Sequence, residues 1–170
     1  MQNVVRITRE DALTVLETQY GIQGHEIYLL ELIPLIEMVW ADGRSKPPEA
    51  ALVYEFALRR LAELDYEAHG LSVLTAGQVN AFVERFLNKQ PSPTMLRELR
   101  QLAMPVIFDH SDPEVNNKRR RMILEYCLDI GAATVPRYPY DAHERFSPPE
   151  KALLLELVEA LQPTALAAAA

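Results

Sequence analysis

The chain has 170 residues, 49% of them apolar, which is enough for one domain with a proper core and excludes general disorder. With 24 acidic against 17 basic residues the net charge is -7, a balance that repels nucleic acid and anionic lipid and excludes both as expected partners. The single cysteine, Cys127, excludes an intramolecular disulfide, a CxxC redox pair and a thiolate metal cluster, and points to a reducing compartment. Met1 to Asp11 lacks the charged-then-apolar pattern of a signal peptide. The most apolar run, Ile27 to Ala41, is broken by Glu31, Pro34 and Glu37 and is too short to span a bilayer. A cytoplasmic location without membrane insertion is therefore expected.

Helix signals follow one another along the chain, and strand and hairpin signals are nearly absent. Asp11 to Tyr20 reads as a short helix ended by Gly21. His25 to Ala41 is apolar on most faces, as a central buried helix requires, and Pro34 should kink it by freeing the Leu30 carbonyl. Pro47 to about Glu67 carries Val53, Ala57, Leu61 and Leu64 at helical spacing, and His69-Gly70 closes it. Thr75-Ala76-Gly77-Gln78 has the form of a capping box and opens a helix through Val79, Phe82, Val83 and Phe86. After the break at Pro91-Ser92-Pro93, Leu96, Leu99 and Leu102 mark a helix from Met95 to Phe108, weakened in its last turn by Pro105. Ser111-Asp112-Pro113 caps the next helix, which runs to about Ala133 with Met122, Ile123, Tyr126 and Ile130 on one stripe. Val135 to Phe146 reads as a loop. Ser147-Pro148-Pro149-Glu150 opens a last helix ending near Gln162, and 163–170 reads as a frayed tail. The expectation is one all-α domain over 1–162, with about seven helices.

Two stretches recur. Pro47-Pro48-Glu49-Ala50-Ala51-Leu52 returns as Pro148-Pro149-Glu150-Lys151-Ala152-Leu153, and Glu37 to Ala41 aligns with Asp129 to Ala133. Good helix starts resemble one another, because proline in the first turn and glutamate at the third position are generic. Both matches in the same order favour duplication, giving two pseudo-symmetric helix–corner–helix halves.

The corner after the central helix is chemically unusual. Gly43 suits the left-handed position that ends helices, but Asp42 faces the negative end of the helix dipole, at a cost of roughly 0.3–1 kcal/mol. A residue that breaks a local rule is a candidate for function. Glu49, in the first turn of the next helix, puts a second carboxylate on the same short corner. Calcium or magnesium takes several oxygen ligands, and the free carbonyls at the helix end add to the supply. Arg44 and Lys46 lie in the same loop and can neutralise Asp42, so on these residues alone a solvated structural corner stands ahead of a metal site.

Ala41-Asp42-Gly43 followed by Pro47 and Glu49 resembles the Ala-Asp-Gly…Pro-x-Glu signature of TerB-like tellurite-resistance domains. Glu144-Arg145-Phe146-Ser147-Pro148-Pro149-Glu150 is similar to that family's second half. The resemblance spans about His25 to Leu161, as judged by motif and periodicity. It implies an all-α fold of two related halves and an acidic surface that binds divalent metal. It also implies a stress-response role linked to tellurium compounds, with a partner protein that is often membrane-associated. Asp42 and Glu49 match the motif directly, Glu150 matches through the repeat, and Asp141 and Glu144 join by proximity. Thr134 stands where the second copy would carry its aspartate. If a pseudo-two-fold axis brings the corners together, Asp42, Glu49, Asp141, Glu144 and Glu150 gather on one face and favour a bound cation, calcium or magnesium.

Other constellations are weaker. The four histidines show no i,i+4 pairing, and the Glu-x-x-His pattern of di-iron bundles is absent. Asp109-His110-Ser111-Asp112 holds triad residue types but reads as a helix cap. Lys118-Arg119-Arg120-Arg121 reads as a solvated face, with a docking patch for an acidic partner as the sharper alternative. Cys127 reads as a core residue. No enzymatic site is expected. Two functions remain: a cation-binding or sensing module, and a protein–protein adaptor that uses the same acidic corner.

Overall fold

The computed structural model describes residues 6–133 and 146–162. Among these residues the fold is all-α, with seven α-helices, one 3-10 segment and no strand. Helix α1 (Arg9–Tyr20) is capped by Thr8, whose hydroxyl accepts the Asp11 N–H, and it ends at Gly21 with φ of 65°.

The central segment departs from the expected single helix over His25–Ala41. It divides into a 3-10 segment (Gly24–Leu29) and α2 (Leu32–Val39). Pro34 is the cause. It has no N–H for the Leu30 carbonyl, which instead accepts the Ile33 N–H at 3.1 Å, one residue earlier than in an α-helix. The chain therefore runs as 3-10 before the proline and as α from Leu32 on. Pro34 stands in the first turn of α2, where a missing N–H costs nothing.

Helices α3 (Pro47–Glu67), α4 (Ala76–Leu87), α5 (Pro93–Ile107), α6 (Pro113–Ala132) and α7 (Pro148–Ala160) follow. Prolines occupy the first turn of α3, α5, α6 and α7. The capping box at α4 is complete: Gln78 N–H donates to Thr75 Oγ1 at 3.1 Å, and Thr75 N–H donates to Gln78 Oε1 at 2.9 Å. His69 and Gly70 end α3 in left-handed conformations, with the Gly70 N–H returning to the Asp65 carbonyl at 2.8 Å. The expected frayed tail lies outside the described residues.

All eight residues of α2 are buried. Helices α3, α5, α6 and α7 pack around it, α1 lies on α5, and α4 lies on α3 and the 3-10 segment. Val53 and Phe56 of α3, Leu99 and Ala103 of α5, Ile123 and Ile130 of α6 and Leu157 of α7 turn inward and join α2 in one hydrophobic cluster. Each buried Leu, Ile or Phe contributes about 1.5–3 kcal/mol. The expected pseudo-symmetry has a local counterpart: α3 and α7 open alike, on a double proline followed by a buried glutamate. An axis relating two halves is not shown.

Gly131 of α6 sits where α2 and Phe146 close in. A Cβ there would fall 2.9 Å from Met38 Cε and closer still to the Phe146 ring. Gly131→Ala gains about 1 kcal/mol of helix propensity, against an overpacking cost of about 1–3 kcal/mol. The variant should melt below the wild type in a thermal scan. A higher melting temperature would mean that Phe146 and Met38 move aside freely.

Candidate functional site

The corner between α2 and α3 is short and closed by its own side chains. Gly43 adopts φ of 82°, and its N–H donates to the Trp40 carbonyl at 2.9 Å. Asp42 Oδ1 accepts the Arg44 N–H at 3.1 Å, and Asp42 Oδ2 receives the Lys46 ammonium at 2.5 Å. The same ammonium lies 3.2 Å from Glu49 Oε1, while Glu49 Oε2 accepts the Lys46 N–H at 3.2 Å. Asp42 and Glu49 are thus brought together, as expected, but by a lysine between them. Asp42 keeps part of its side chain accessible, whereas Glu49 is only 2% exposed, because it folds under the first turn of α3 to reach the Lys46 backbone. Burial raises the Glu49 pKa, against the lowering pull of Lys46. The hydrogen bond to Asp42 in turn raises the Lys46 pKa and keeps it charged. The aspartate that looks misplaced at a helix C-terminus therefore has two local partners that account for it.

Glu150 plays a different part. It is buried and closes the capping box of α7, accepting the Ser147 N–H at 3.0 Å and donating its own N–H to Ser147 Oγ at 3.4 Å. Asp141 and Glu144 lie outside the described residues. Among the described residues no group of three or more His, Cys, Asp or Glu is placed to hold a metal ion.

A second arrangement escapes the motif reading. Between the end of α2, the start of α5 and the first turns of α7 lies a cleft of about 210 Å³. Trp40, Pro91, Leu96, Pro149 and Leu153 supply apolar walls, and Glu37, Arg97 and Glu156 supply charge. Arg100, 3% exposed, stands behind them. Its Nε lies 2.8 Å from Glu37 Oε2, an oxygen sealed from solvent, so the two form a close buried ion pair. Glu156 takes the better geometry, with Arg100 at 2.5 Å and Arg97 at 3.2 Å. Burial pushes the Glu37 pKa up to about 7, and Arg100 opposes that rise only in part. A strongly shifted carboxyl lining a cleft is a physical mark of a functional site. The signal in the sequence was Glu37 itself, an ionisable residue inside the most apolar run. Its partner Arg100 could have been found as a cation on the buried Leu96–Leu99–Ala103 stripe.

The remaining candidates resolve into structural roles. Asp112 Oδ1 accepts the Glu114 N–H at 2.9 Å, and His110 Nδ1 accepts the Asp112 N–H at 3.0 Å, so the tetrapeptide caps α6. Cys127 is fully buried, and desolvation drives its pKa upward, away from thiolate reactivity. Within the basic run, Arg119 approaches Glu31 at 3.6 Å and donates to the Ile107 carbonyl at 3.0 Å, while Arg120 covers the Phe108 ring at 4.4 Å. Comparison with protein-family models, curated proteins and solved structures gives no match, so the TerB-like resemblance rests on its short motif.

Glu37 links stability to pH. Its folded pKa, about 7, exceeds the ordinary 4.5, so its stabilising share is complete below pH 4.5 and is lost as pH rises through 7. That loss amounts to about 3 kcal/mol at full expression. Urea melts at pH 5 and pH 8 should show the wild type losing ground to Glu37→Gln at the higher pH. A constant difference between the two proteins would show that Glu37 titrates normally.

Proposed function

We propose that this chain is a docking module that engages a partner protein through its acidic corner and performs no chemistry of its own. The observation that carries this reading is the position of Lys46. Its ammonium already fills the space between Asp42 and Glu49, at 2.5 and 3.2 Å, so a divalent ion would have to displace a charge the fold supplies. An internal cation leaves the corner a rigid polar surface, and exposed Arg44 beside it adds a directional contact. The competing proposal is calcium or magnesium sensing in a tellurite-resistance or stress-response setting with a membrane-associated partner. It is supported by the Ala-Asp-Gly…Pro-x-Glu motif alone.

Melting curves with and without millimolar calcium or magnesium separate the two. The wild type should not shift, while Lys46→Ala, which leaves the carboxylates unneutralised, should gain a metal-dependent rise. A photo-crosslinker at Arg44 should capture a partner, and Asp42→Lys should abolish capture. A metal-dependent rise in the wild type that disappears in the Asp42→Asn, Glu49→Gln double variant would establish the cation module instead.

A further inference from the structure

We infer that the groove between the end of α3 and the first half of α6 is a docking surface for a second copy of this chain, related by a two-fold axis. The groove has a volume of about 310 Å³. Glu63 and Glu67, one turn apart on α3, make one rim acidic, and Lys118 on α6 makes the other basic. Val115 and Met122 of α6 add apolar lining. Most charges here are engaged within the chain. Arg60 pairs with Glu31 at 2.9 Å and with Glu63 at 3.5 Å, and Arg119 pairs with Glu31 at 3.6 Å and donates to the Ile107 carbonyl at 3.0 Å. Glu67 and Lys118 are the exceptions. Both line the groove and both are exposed, yet among the described residues neither has a counter-charge within ion-pair distance.

Beside Glu67 stands Tyr66, 86% exposed, and Leu71, 74% exposed, follows just past the end of the same helix. These are the two most exposed large apolar side chains among the described residues, and both lie at this end of α3. An exposed aromatic flanked by unpaired charges matches the anchor and polar rim of a protein interface. A small ligand fits less well, because a rim residue as exposed as Tyr66 leaves the groove open along the surface.

The charge pattern selects the occupant. A uniformly acidic or basic partner would be drawn to one rim and repelled by the other. The matching surface carries a cation opposite Glu67 and an anion opposite Lys118, in the reverse order across the groove. The groove itself, turned by a two-fold axis, has that order. Glu67 of each copy then meets the partner's Lys118, and the two Tyr66 side chains enter between the paired rims.

Sedimentation velocity across micromolar concentrations should show a monomer–dimer equilibrium that weakens as salt rises. Glu67→Lys and Lys118→Glu, each alone, should raise the dimer dissociation constant about tenfold or more, because like charges then face each other twice across the axis. An equimolar mixture of the two variants should dimerise again, since both contacts of the mixed pair are then opposite in sign. That recovery also shows that both variants are folded. Tyr66→Ser should weaken the wild-type dimer with no fall in melting temperature. None of these variants touches Asp42, Arg44, Lys46 or Glu49, so this test stands or fails apart from the docking role of the corner. A wild type that stays monomeric at the highest concentration would overturn the assignment and leave the groove to an unlike partner. A dimer that persists in both single variants, or a mixture that fails to recover, would overturn it as well.

Discussion

The structure depends on burying a helix on all sides. An exposed helix needs one apolar stripe, but α2 has neighbours on every face, and each neighbour must turn its own stripe inward to meet it. Two glutamates go inside with it. Glu31, at its start, meets Arg60 from α3 at 2.9 Å and Arg119 from α6 at 3.6 Å. Glu37, within it, meets Arg100 from α5, which in turn reaches Glu156 of α7. A buried pair of this kind adds little net stability over apolar packing, yet removing one partner costs about 3–5 kcal/mol. The pairs therefore act mainly as selectors. Only the arrangement that delivers an arginine to each glutamate avoids an uncompensated charge, which constrains how α3, α5 and α6 rotate against α2.

Much of this fold was legible in the sequence, and the illegible parts have definite causes. Helix starts were readable because their chemistry is local: Thr75 with Gln78, Asp112 with Glu114, and Ser147 with Glu150 each settle a boundary through hydrogen bonds spanning three residues or fewer. The division of the central segment was not readable. Periodicity cannot separate 3-10 from α winding in a run that is apolar on nearly every face, and the effect of Pro34 depends on which turn it occupies. Among the candidate site residues, the closeness of Asp42 and Glu49 followed from the short corner. The burial of Glu49 did not, since it depends on one side chain folding back under α3. The cleft was the least legible feature, because residues 37, 97 and 156 come from three helices and no local pattern joins them.

The corner shows how a rule-breaking residue can be satisfied without a ligand. Asp42 is unfavourable only while the helix dipole is considered alone. Once the Arg44 N–H and the Lys46 ammonium are added, the carboxylate has a neutralising charge and a turn-forming hydrogen bond within four residues. Lys46 then serves two carboxylates at once, tying the end of one helix to the start of the next. The same residues that spell a metal motif in one dimension form a closed electrostatic triplet in three.

Glu37 is the reverse case. It obeys its environment as far as a charged group in a buried helix can, with an arginine beside it, and it is still left with its ionisation opposed by burial. Desolvation is what makes it costly to the fold, and desolvation is also what strengthens any donor that reaches it, because a hydrogen bond to charge gains most where water is excluded. Replacing Glu37 by an apolar residue of similar size would remove the cost and leave Arg100 to Glu156 alone. The carboxyl at that position is thus expensive for folding, and the apolar surroundings of α2 set that expense.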